Sequence, residues 1–241
     1  NPLAISAAEG LERFIYNRAD GITAVTDSFC EHISERVDGN PPIRRVMNGT
    51  VPEIFNRDDQ RAKKREELGV QDKFVVLYAG NHGLAQGLPH IVEAAASIPS
   101  ETDVEFVMVG SGPIKSKLVD AAHRQSLDAI QFVDRVPLEE AAAYMAAADA
   151  LLVPLEDHKI YKQFIPSKLF DSMAAGKPVL LSVDGEARTI LDKADAGLYY
   201  PPENATKLTE HVEWLAAHPS EAQAMGERGR AYARAHCTRA S

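Results

Sequence analysis

The most constraining feature of the sequence is a series of short, almost wholly apolar segments that alternate with amphipathic stretches. The apolar segments predict strands at 74–79, 104–109, 130–133, 150–154, 178–182 and 197–200. Helical periodicity occupies 88–98, 113–125, 138–148, 166–175 and 187–192. Strands that are apolar throughout are typical of a parallel sheet covered on both faces, and right-handed crossovers then give a doubly wound α/β fold. Ligands bind beyond the carboxyl ends of such strands, so the loops that follow the strands are the expected functional loops.

The two ends of the chain predict further units. Residues 1–47 hold two helical stretches and two short strands, and two strands are too few for an independent core. We therefore predict that 1–47 is the last segment of a preceding α/β domain and that 48–57 is a linker. The ligand-binding domain is predicted at 58–219 and a helical tail at 220–241. The arginines of the tail are expected to form a solvated face: Arg228, Arg230, Arg234 and Arg239. Because the chain begins with Asn1 rather than Met, we expect it to be processed or to be a piece of a longer protein.

Charge and cysteine content exclude several classes of function. The chain carries 26 Lys and Arg against 35 Asp and Glu, a formal charge of −9, which disfavours a nucleic-acid partner because no basic face can release phosphate counterions. No segment approaches the roughly 20 consecutive apolar residues that span a bilayer, and no signal-peptide pattern opens the chain. Cys30 and Cys237 lie far apart, as in a reduced cytoplasmic protein, and no metal-ligand spacing occurs. We therefore predict a cytoplasmic protein without a metal site.

Two glycine-containing loops follow neighbouring predicted strands. The second of them, 110–113, opens a predicted helix, where glycines allow close backbone approach and free amides favour an anion. Its candidate contacts are Gly110, Ser111 and Gly112. The first loop, 80–87, has glycines and side-chain amides as candidate contacts: Gly80, Asn81, Gly83, Gln86 and Gly87. A purely structural turn also fits either loop alone, whereas the two together predict a cradle for a phosphate or diphosphate.

The segment 163–179 is the most informative part of the sequence. Pro166 can begin a helix and Gly176 can end it. Lys168 would then lie in the first turn, where the helix dipole repels a cation, and a broken local rule of this kind is typical of a functional site. A bound anion with Lys168 as its counter-charge would resolve the conflict. A surface pair between Lys168 and Asp171, three residues on, is the ordinary alternative, and on the residues alone both interpretations stay open.

Several segments occur in the same order as in one enzyme family. They lie at 19–26, 46–49, 110–113, 147–154 and 174–179, with Phe55 downstream of the second. Together they resemble the C-terminal half of a glycosyltransferase with the two-domain GT-B fold, in the retaining family 4 group. The loop at 80–87 and the tripeptide at 166–168 look most like the members that build bacterial O-antigen and capsular polysaccharide, including amino-sugar transferases.

The resemblance implies a chemistry and a set of partners. The domain at 58–219 would bind a nucleoside-diphosphate sugar, UDP-linked in the resembled members with GDP as second candidate. The other domain would hold a saccharide or lipid-linked acceptor. Transfer would retain the anomeric configuration and would need neither a metal ion nor another cofactor. Synthesis of surface polysaccharide further implies peripheral association with the inner face of the cell membrane. Because only the last segment of the first domain is present, we expect this chain to bind nucleotide but to turn over poorly or not at all.

The same resemblance implies roles for single residues. The two cations with which the family grips the diphosphate fall on Asn81 and Gln86, which leaves Lys168 as the diphosphate contact and the predicted catalytic residue. Asp171 would hold the ribose hydroxyls, and Gln163 falls where the family contacts the donor sugar. The other implied contacts are the neighbour of Lys168, two loop amides and a residue near the base: Ser167, Gly83, Gly87 and Arg135.

Three other functions also fit the sequence. A non-catalytic sugar-nucleotide-binding module is favoured by the loss of both loop cations at Asn81 and Gln86. A nucleotide-sugar 2-epimerase would share the GT-B fold. A nicotinamide-dependent enzyme is disfavoured, because no Gly-x-Gly-x-x-Gly pattern with an acidic residue about 20 positions on occurs in the chain.

Overall fold

The first unit of the protein is a small parallel pair of strands with two helices. The computed structural model describes residues 2–39, 41–99 and 102–238, so Arg239 and the rest of the predicted tail end lie outside the described residues. The elements of the first unit are α1 (Pro2–Arg18), β1 (Ile22–Ala24), α2 (Asp27–Ser34) and β2 (Ile43–Arg45). The two strands run parallel, with Ile22 opposite Ile43. Helix α1 buries none of its residues, although it carries large apolar side chains such as Leu11 and Phe14.

Six parallel strands form the main sheet. They are β3 (Phe74–Ala79), β4 (Val104–Val109), β5 (Ile130–Val133), β6 (Ala150–Pro154), β7 (Val179–Ser182) and β8 (Gly197–Tyr199). Their spatial order is β5-β4-β3-β6-β7-β8, and every neighbouring pair is parallel. The chain thus moves outward from β3 to one edge, returns to the centre and moves outward to the other edge. The predicted doubly wound α/β fold is confirmed, and the order reverses between β3 and β6.

Helices cover both faces of this sheet. They are α3 (Pro52–Phe55), α4 (Arg61–Leu68), α5 (Pro89–Ser97), α6 (Lys115–Arg124), α7 (Leu138–Ala147), α8 (Ser167–Ala174), α9 (Glu186–Ala194), α10 (Ala205–Ala217) and α11 (Pro219–His236). Short 3₁₀ helices lie at Asp58–Gln60, Leu84–Gln86 and Lys159–Gln163. Alternate residues of β3 enter two separate cores, Val75 and Leu77 on one face and Val76 and Tyr78 on the other. Burial on both faces explains why the strands read as continuous apolar runs.

The C-terminal helix α11 packs against α8 and fixes its end. Gly176 follows α8 with a φ of +71°, so the predicted stop at this glycine is confirmed. A Cβ at Gly176 would overlap the guanidinium of Arg230. Arg230 donates to the carbonyl of Ala175 at 2.8 Å and pairs with Asp58 at 2.9 Å. The prediction that the tail arginines form a solvated face is therefore wrong for Arg230. Its guanidinium donates to a carbonyl at the end of α8 that has no partner within the helix.

The first unit contacts the sheet domain through Glu186 and one aromatic pair. The carboxylate of Glu186 accepts hydrogen bonds at 3.0 Å from both the backbone N–H and the hydroxyl of Ser28, at the start of α2. A carboxylate at a helix N-terminus is favourable because the first N–H groups have no partner within the helix. The rings of Phe29 and Phe164 meet edge to face with centroids 5.2 Å apart.

Candidate functional site

A cleft of about 470 Å³ opens where β3 and β4 end, beside the point at which the strand order reverses. Ligands of doubly wound sheets bind at such a point. Seven of the thirteen residues predicted from the sequence line its wall: Gly80, Asn81, Gly110, Ser111, Arg135, Lys168 and Asp171. Six others are not part of the wall: Gly83, Gln86, Gly87, Gly112, Gln163 and Ser167. A role in binding stays a prediction for both sets.

The two glycine loops pack backbone against backbone. His82 of the first loop donates its N–H to the carbonyl of Ser111 in the second, at 2.9 Å. A Cβ on Gly110 would overlap the carbonyl oxygen of Gly80. One on Gly112 would overlap the carbonyl oxygen of His82. Gly110 also has a φ of +142°, a conformation that favours glycine. These glycines are therefore required by the contact between the loops, whether or not a ligand approaches them.

Lys168 is part of the cleft wall and lies against Tyr78 and the first loop. It is the second residue of α8, and a Cβ on Gly80 would overlap its Nζ and Cε atoms. Nζ donates to Oη of Tyr78 at 2.7 Å and lies 4.4 Å from the centroid of that ring. Burial lowers the pKa of Lys168 to about 8, and the carboxylate of Asp171 partly offsets this shift. At neutral pH the side chain is thus a desolvated cation, which an anionic ligand would stabilise.

Several backbone amides beside the cleft already have acceptors. The N–H of Gly83 donates to Oε1 of Gln86 at 3.1 Å, and the N–H of Gly87 donates to the carbonyl of Leu84 at 3.2 Å. At the second loop, the N–H of Ile114 donates across to the first loop at 3.1 Å. Hydrogen bonds within and between the loops therefore use these three amides. A contact from Gly83 or Gly87 to an anion stays a prediction and would have to replace the hydrogen bond that the amide makes. The helix itself begins at Lys115, two residues later than predicted.

Asp171 lines the cleft on the side of the linker. Its Oδ1 atom accepts a hydrogen bond from the hydroxyl of Thr50 at 2.7 Å. The N–H of Thr50 in turn donates to the carbonyl of Cys237 at 2.7 Å, so linker, tail and α8 meet at this point. A ribose hydroxyl that used Oδ1 of Asp171 would have to share it with Thr50.

The opposite side of the cleft is apolar. It is formed by the end of β4, the segment before α7 and one face of α7: Val109, Val136, Leu138, Ala141 and Met145. Arg135 is exposed at its rim. A flat heterocycle fits such a surface, because the faces of the heterocycle are apolar and a guanidinium such as that of Arg135 can stack on the ring.

Two side chains outside the predicted site residues, Lys115 and His82, lie at the glycine loops. Nζ of Lys115 donates to the carbonyls of Gly110 at 2.9 Å and Val133 at 2.8 Å, which joins the loops after β4 and β5. His82 is completely buried, and this burial lowers its pKa to about 4 with help from the charges of Lys115 and Lys168, so its ring is neutral at pH 7. Lys115 could have been found from the sequence, since it is a cation in a first helical turn, as Lys168 is.

A metal-binding cluster and a membrane-crossing helix are both absent from the described part of the chain. Within 2–39, 41–99 and 102–238, no group of three or more His, Cys, Asp or Glu side chains is arranged to hold a metal ion. In the same ranges, no helix combines the length and the apolar character that crossing a membrane requires.

The family of the chain follows from comparison with known proteins. A family model described as glycosyl transferases group 1 matches residues 59–232, which is most of the chain. The chain belongs to this family. The matched region begins before the main sheet and includes most of α11, so the resemblance stated from the sequence motifs is confirmed. The doubly wound domain has the Rossmann-like fold of GT-B glycosyltransferases.

Individual relatives and structures agree with this assignment. The D-rhamnosyltransferase WbpZ of Pseudomonas aeruginosa is 26% identical over 168 residues, which cover 69% of this chain and 42% of WbpZ. The sucrose-phosphate synthase of Thermosynechococcus elongatus superposes with a TM-score of 0.79 at 25% identity, over 97% of this chain and 58% of that chain. HepE of Anabaena, solved in complex with UDP and glucose, gives a TM-score of 0.82 at 18% identity, over 95% of this chain and 63% of that one, and shows the fold alone.

Further relatives have names that refer to colanic acid and teichuronic acid biosynthesis, so bacterial polysaccharide enzymes are among the homologues. The chain spans about half the length of the curated relatives it matches.

Proposed function

We propose that this chain is the donor-binding part of a glycosyltransferase of surface polysaccharide biosynthesis. The full protein transfers a sugar from a nucleoside-diphosphate sugar to a saccharide or lipid-linked acceptor, with retention of configuration. The observation that carries the proposal is the half-buried side chain of Lys168, whose ammonium lies against Gly80 and Tyr78 at the carboxyl ends of β3 and β4. The cleft there has the size of a small-molecule site. Family membership supports the reaction class. UDP is the proposed nucleotide, which HepE binds.

The diphosphate is proposed to lie between Lys168 and the two glycine loops. A diphosphate needs compensating positive charge, and the first loop offers the uncharged side chains Asn81 and Gln86 where the family has cations. The side-chain oxygen Oε1 of Gln86 already accepts a hydrogen bond from the backbone N–H of Gly83. Of the two cations among the described residues of the cleft wall, Arg135 is exposed at the rim and Lys168 lies against the first loop, so Lys168 is proposed to supply the charge. Its partial burial makes the interaction stronger than the same contact in water. As the bond between the sugar and the phosphate breaks, the same cation stabilises the charge that develops on the leaving diphosphate.

The nucleoside is proposed to lie on the apolar side of the cleft. The base would pack against the Val136 and Met145 side with Arg135 at the rim, and the ribose would face Asp171. Thr50 would be displaced from Asp171 or would share its carboxylate with a ribose hydroxyl. The reaction is proposed to need no metal ion or other cofactor, since the charge of the leaving group is met by Lys168.

The acceptor is proposed to bind to protein outside this chain, at the inner face of the cell membrane. The support is that the matched region covers only about half of the relatives, and that the exposed apolar side chains of α1 provide a surface for further protein. We expect this chain alone to bind the donor nucleotide and to transfer sugar poorly or not at all.

Calorimetric titration of the chain with UDP, GDP and ADP tests the proposal. We expect UDP to bind best and Lys168→Ala to weaken binding by about 1.5–3 kcal/mol, roughly 10- to 150-fold, because a charge-assisted contact is lost. Lys193→Ala is the matched control, since Lys193 is an exposed lysine of α9 away from the cleft, and it should bind as the unchanged chain does.

Two outcomes would contradict the proposal. If none of the three nucleotides binds, the cleft is not a nucleotide site. If UDP binds equally well to the Lys168→Ala variant, Lys168 does not hold the diphosphate. Product analysis of the full protein with UDP-sugar and water alone distinguishes a 2-epimerase, which would change the sugar without an acceptor. A full protein that binds UDP-sugar but neither transfers nor isomerises the sugar would be a binding module.

A further inference from the structure

The buried hydroxyl of Tyr78 has a fixed hydrogen-bond direction. Tyr78 is the next-to-last residue of β3, and its side chain is completely buried. Its Oη atom donates to the carbonyl oxygen of Asn81 at 2.6 Å and accepts from Nζ of Lys168 at 2.7 Å. A phenol has a single proton, and Asn81 takes it, so a lone pair of Oη faces the amine. The contact therefore favours the charged form of Lys168 at a place where burial disfavours it.

The same contact leaves the ammonium group able to bind a second partner. Within the described residues, Oη of Tyr78 is the one hydrogen-bond acceptor of Lys168 Nζ, whereas an ammonium group has three N–H donors. The ring face of Tyr78 lies 4.4 Å from Nζ, and the absence of a side chain at Gly80 makes room on the other side. The ammonium is thus held between a rigid aromatic ring and a backbone turn, at the wall of the cleft.

We propose that Tyr78 is a positioning residue for diphosphate binding. It holds the Lys168 ammonium at the end of β3 and keeps it charged, and it does not itself touch the ligand, since Tyr78 is not part of the cleft wall. This inference rests on the proposed function of Lys168. It predicts that removal of one oxygen atom, in Tyr78→Phe, weakens the binding of a diphosphate while binding of the nucleoside is unchanged.

Titration with UDP and with uridine tests this role. We expect Tyr78→Phe to weaken UDP binding roughly tenfold, as for loss of a hydrogen bond to a charged group, with uridine affinity unchanged within about twofold. Tyr144→Phe is the matched control, because Tyr144 is also a buried tyrosine with a lysine over its ring, Lys64 at 4.5 Å, and is not itself part of the cleft wall. It should bind both ligands as the unchanged chain does. Equal losses for UDP and uridine in Tyr78→Phe would overturn the proposal, since a merely structural defect would affect both.

A double variant shows whether Tyr78 acts through Lys168. In the Lys168→Ala background, Tyr78→Phe should cause no further loss of UDP affinity, because the group that it positions is absent. A further tenfold loss in that background would overturn the proposal.

The pKa of Lys168 tests the same idea without any nucleotide. The charged and titratable groups that face its Nζ are Asp171 on α8, Tyr78 on β3 and His82 of the first loop. We expect NMR titration of the ligand-free chain to place the midpoint for Lys168 at a lower pH in Tyr78→Phe than in the unchanged chain, since an acceptor of the ammonium is lost. An unchanged midpoint would overturn the proposal. If UDP fails to bind the unchanged chain, the proposed function fails, and this titration still decides the role of Tyr78.

Discussion

Substitution of Gly110 by alanine tests whether the two glycine loops pack as described. The added Cβ would overlap the carbonyl oxygen of Gly80, and the φ of +142° is one that alanine rarely adopts. The backbone strain costs about 1–3 kcal/mol, and forcing an extra carbon into a packed contact costs a further 1–3 kcal/mol or so. We therefore expect Gly110→Ala to lower the free energy of unfolding by roughly 3 kcal/mol or more.

Gly69→Ala separates the two contributions. Gly69 ends α4 with a φ of +68°, and a Cβ there would meet nothing within 4 Å. It should cost only the backbone strain of a left-handed residue, about 1 kcal/mol. Urea denaturation followed by far-ultraviolet circular dichroism gives both values, and a difference of about 2 kcal/mol between the variants is expected.

Nucleotide titration of the same two variants connects packing with binding. The added carbon in Gly110→Ala would push the first loop away from the second, so UDP affinity should fall under conditions in which the variant remains folded. Gly69→Ala should bind normally. Equal destabilisation by the two substitutions would refute the reasoning, because the contact between Gly110 and Gly80 would then contribute nothing.

Two further predictions concern charge. Because the pKa of Lys168 is about 8 in the free chain, the charged fraction of Lys168 falls from about 0.9 at pH 7 to about 0.1 at pH 9. The affinity for UDP-sugar should therefore be highest below pH 8 and should fall about tenfold between pH 7 and pH 9. Titrations at several pH values should show this fall for the unchanged chain and a flat profile for Lys168→Ala. Asp149 accepts hydrogen bonds from Arg61 at 2.5 Å and Arg65 at 3.0 Å, so Asp149→Ala should lower the free energy of unfolding by roughly 3 kcal/mol, because two guanidinium groups lose their counter-charge. In urea denaturation the exposed Asp192→Ala, whose ion pair is solvated, should cost less than about 0.5 kcal/mol, and an equal effect of the two substitutions would contradict the assignment.

The strands of the main sheet could be predicted from the sequence because a strand that is buried on both faces has apolar residues at consecutive positions. The bounds of β3, β4, β5 and β6 agree with the predicted segments. Helix α4 was missed because six of its eight residues are charged, so no apolar stripe marks it. Its Arg61 and Arg65 are instead directed at Asp149, a contact that no local pattern reveals.

Helix α10 was missed for a different reason, since its signals are present in the sequence. Asn204 caps its start by accepting from the N–H of Lys207 at 2.8 Å. Leu208, Val212 and Leu215 follow at helical spacing and are completely buried. An N-cap residue followed by this spacing would have predicted the helix.

The candidate site was predictable where local rules were broken and was not predictable where distant residues meet. The cation in the first turn of α8 singled out Lys168, and the two glycine loops indicated the edge of the sheet at which the cleft opens. The partner of Lys168 is Tyr78, which lies 90 positions away and reads in the sequence as one more buried strand residue. That Gly110 and Gly112 serve loop packing also depends on the tertiary arrangement, because it requires the carbonyls of Gly80 and His82 to lie opposite them.

The most direct test of the account is a crystal structure of the chain soaked with a UDP-sugar. The account predicts the diphosphate in the cleft at the ends of β3 and β4, with an oxygen about 2.7–2.9 Å from Nζ of Lys168 and the base on the apolar side. A UDP-sugar bound with its diphosphate away from Lys168, or bound only outside this cleft, would contradict it.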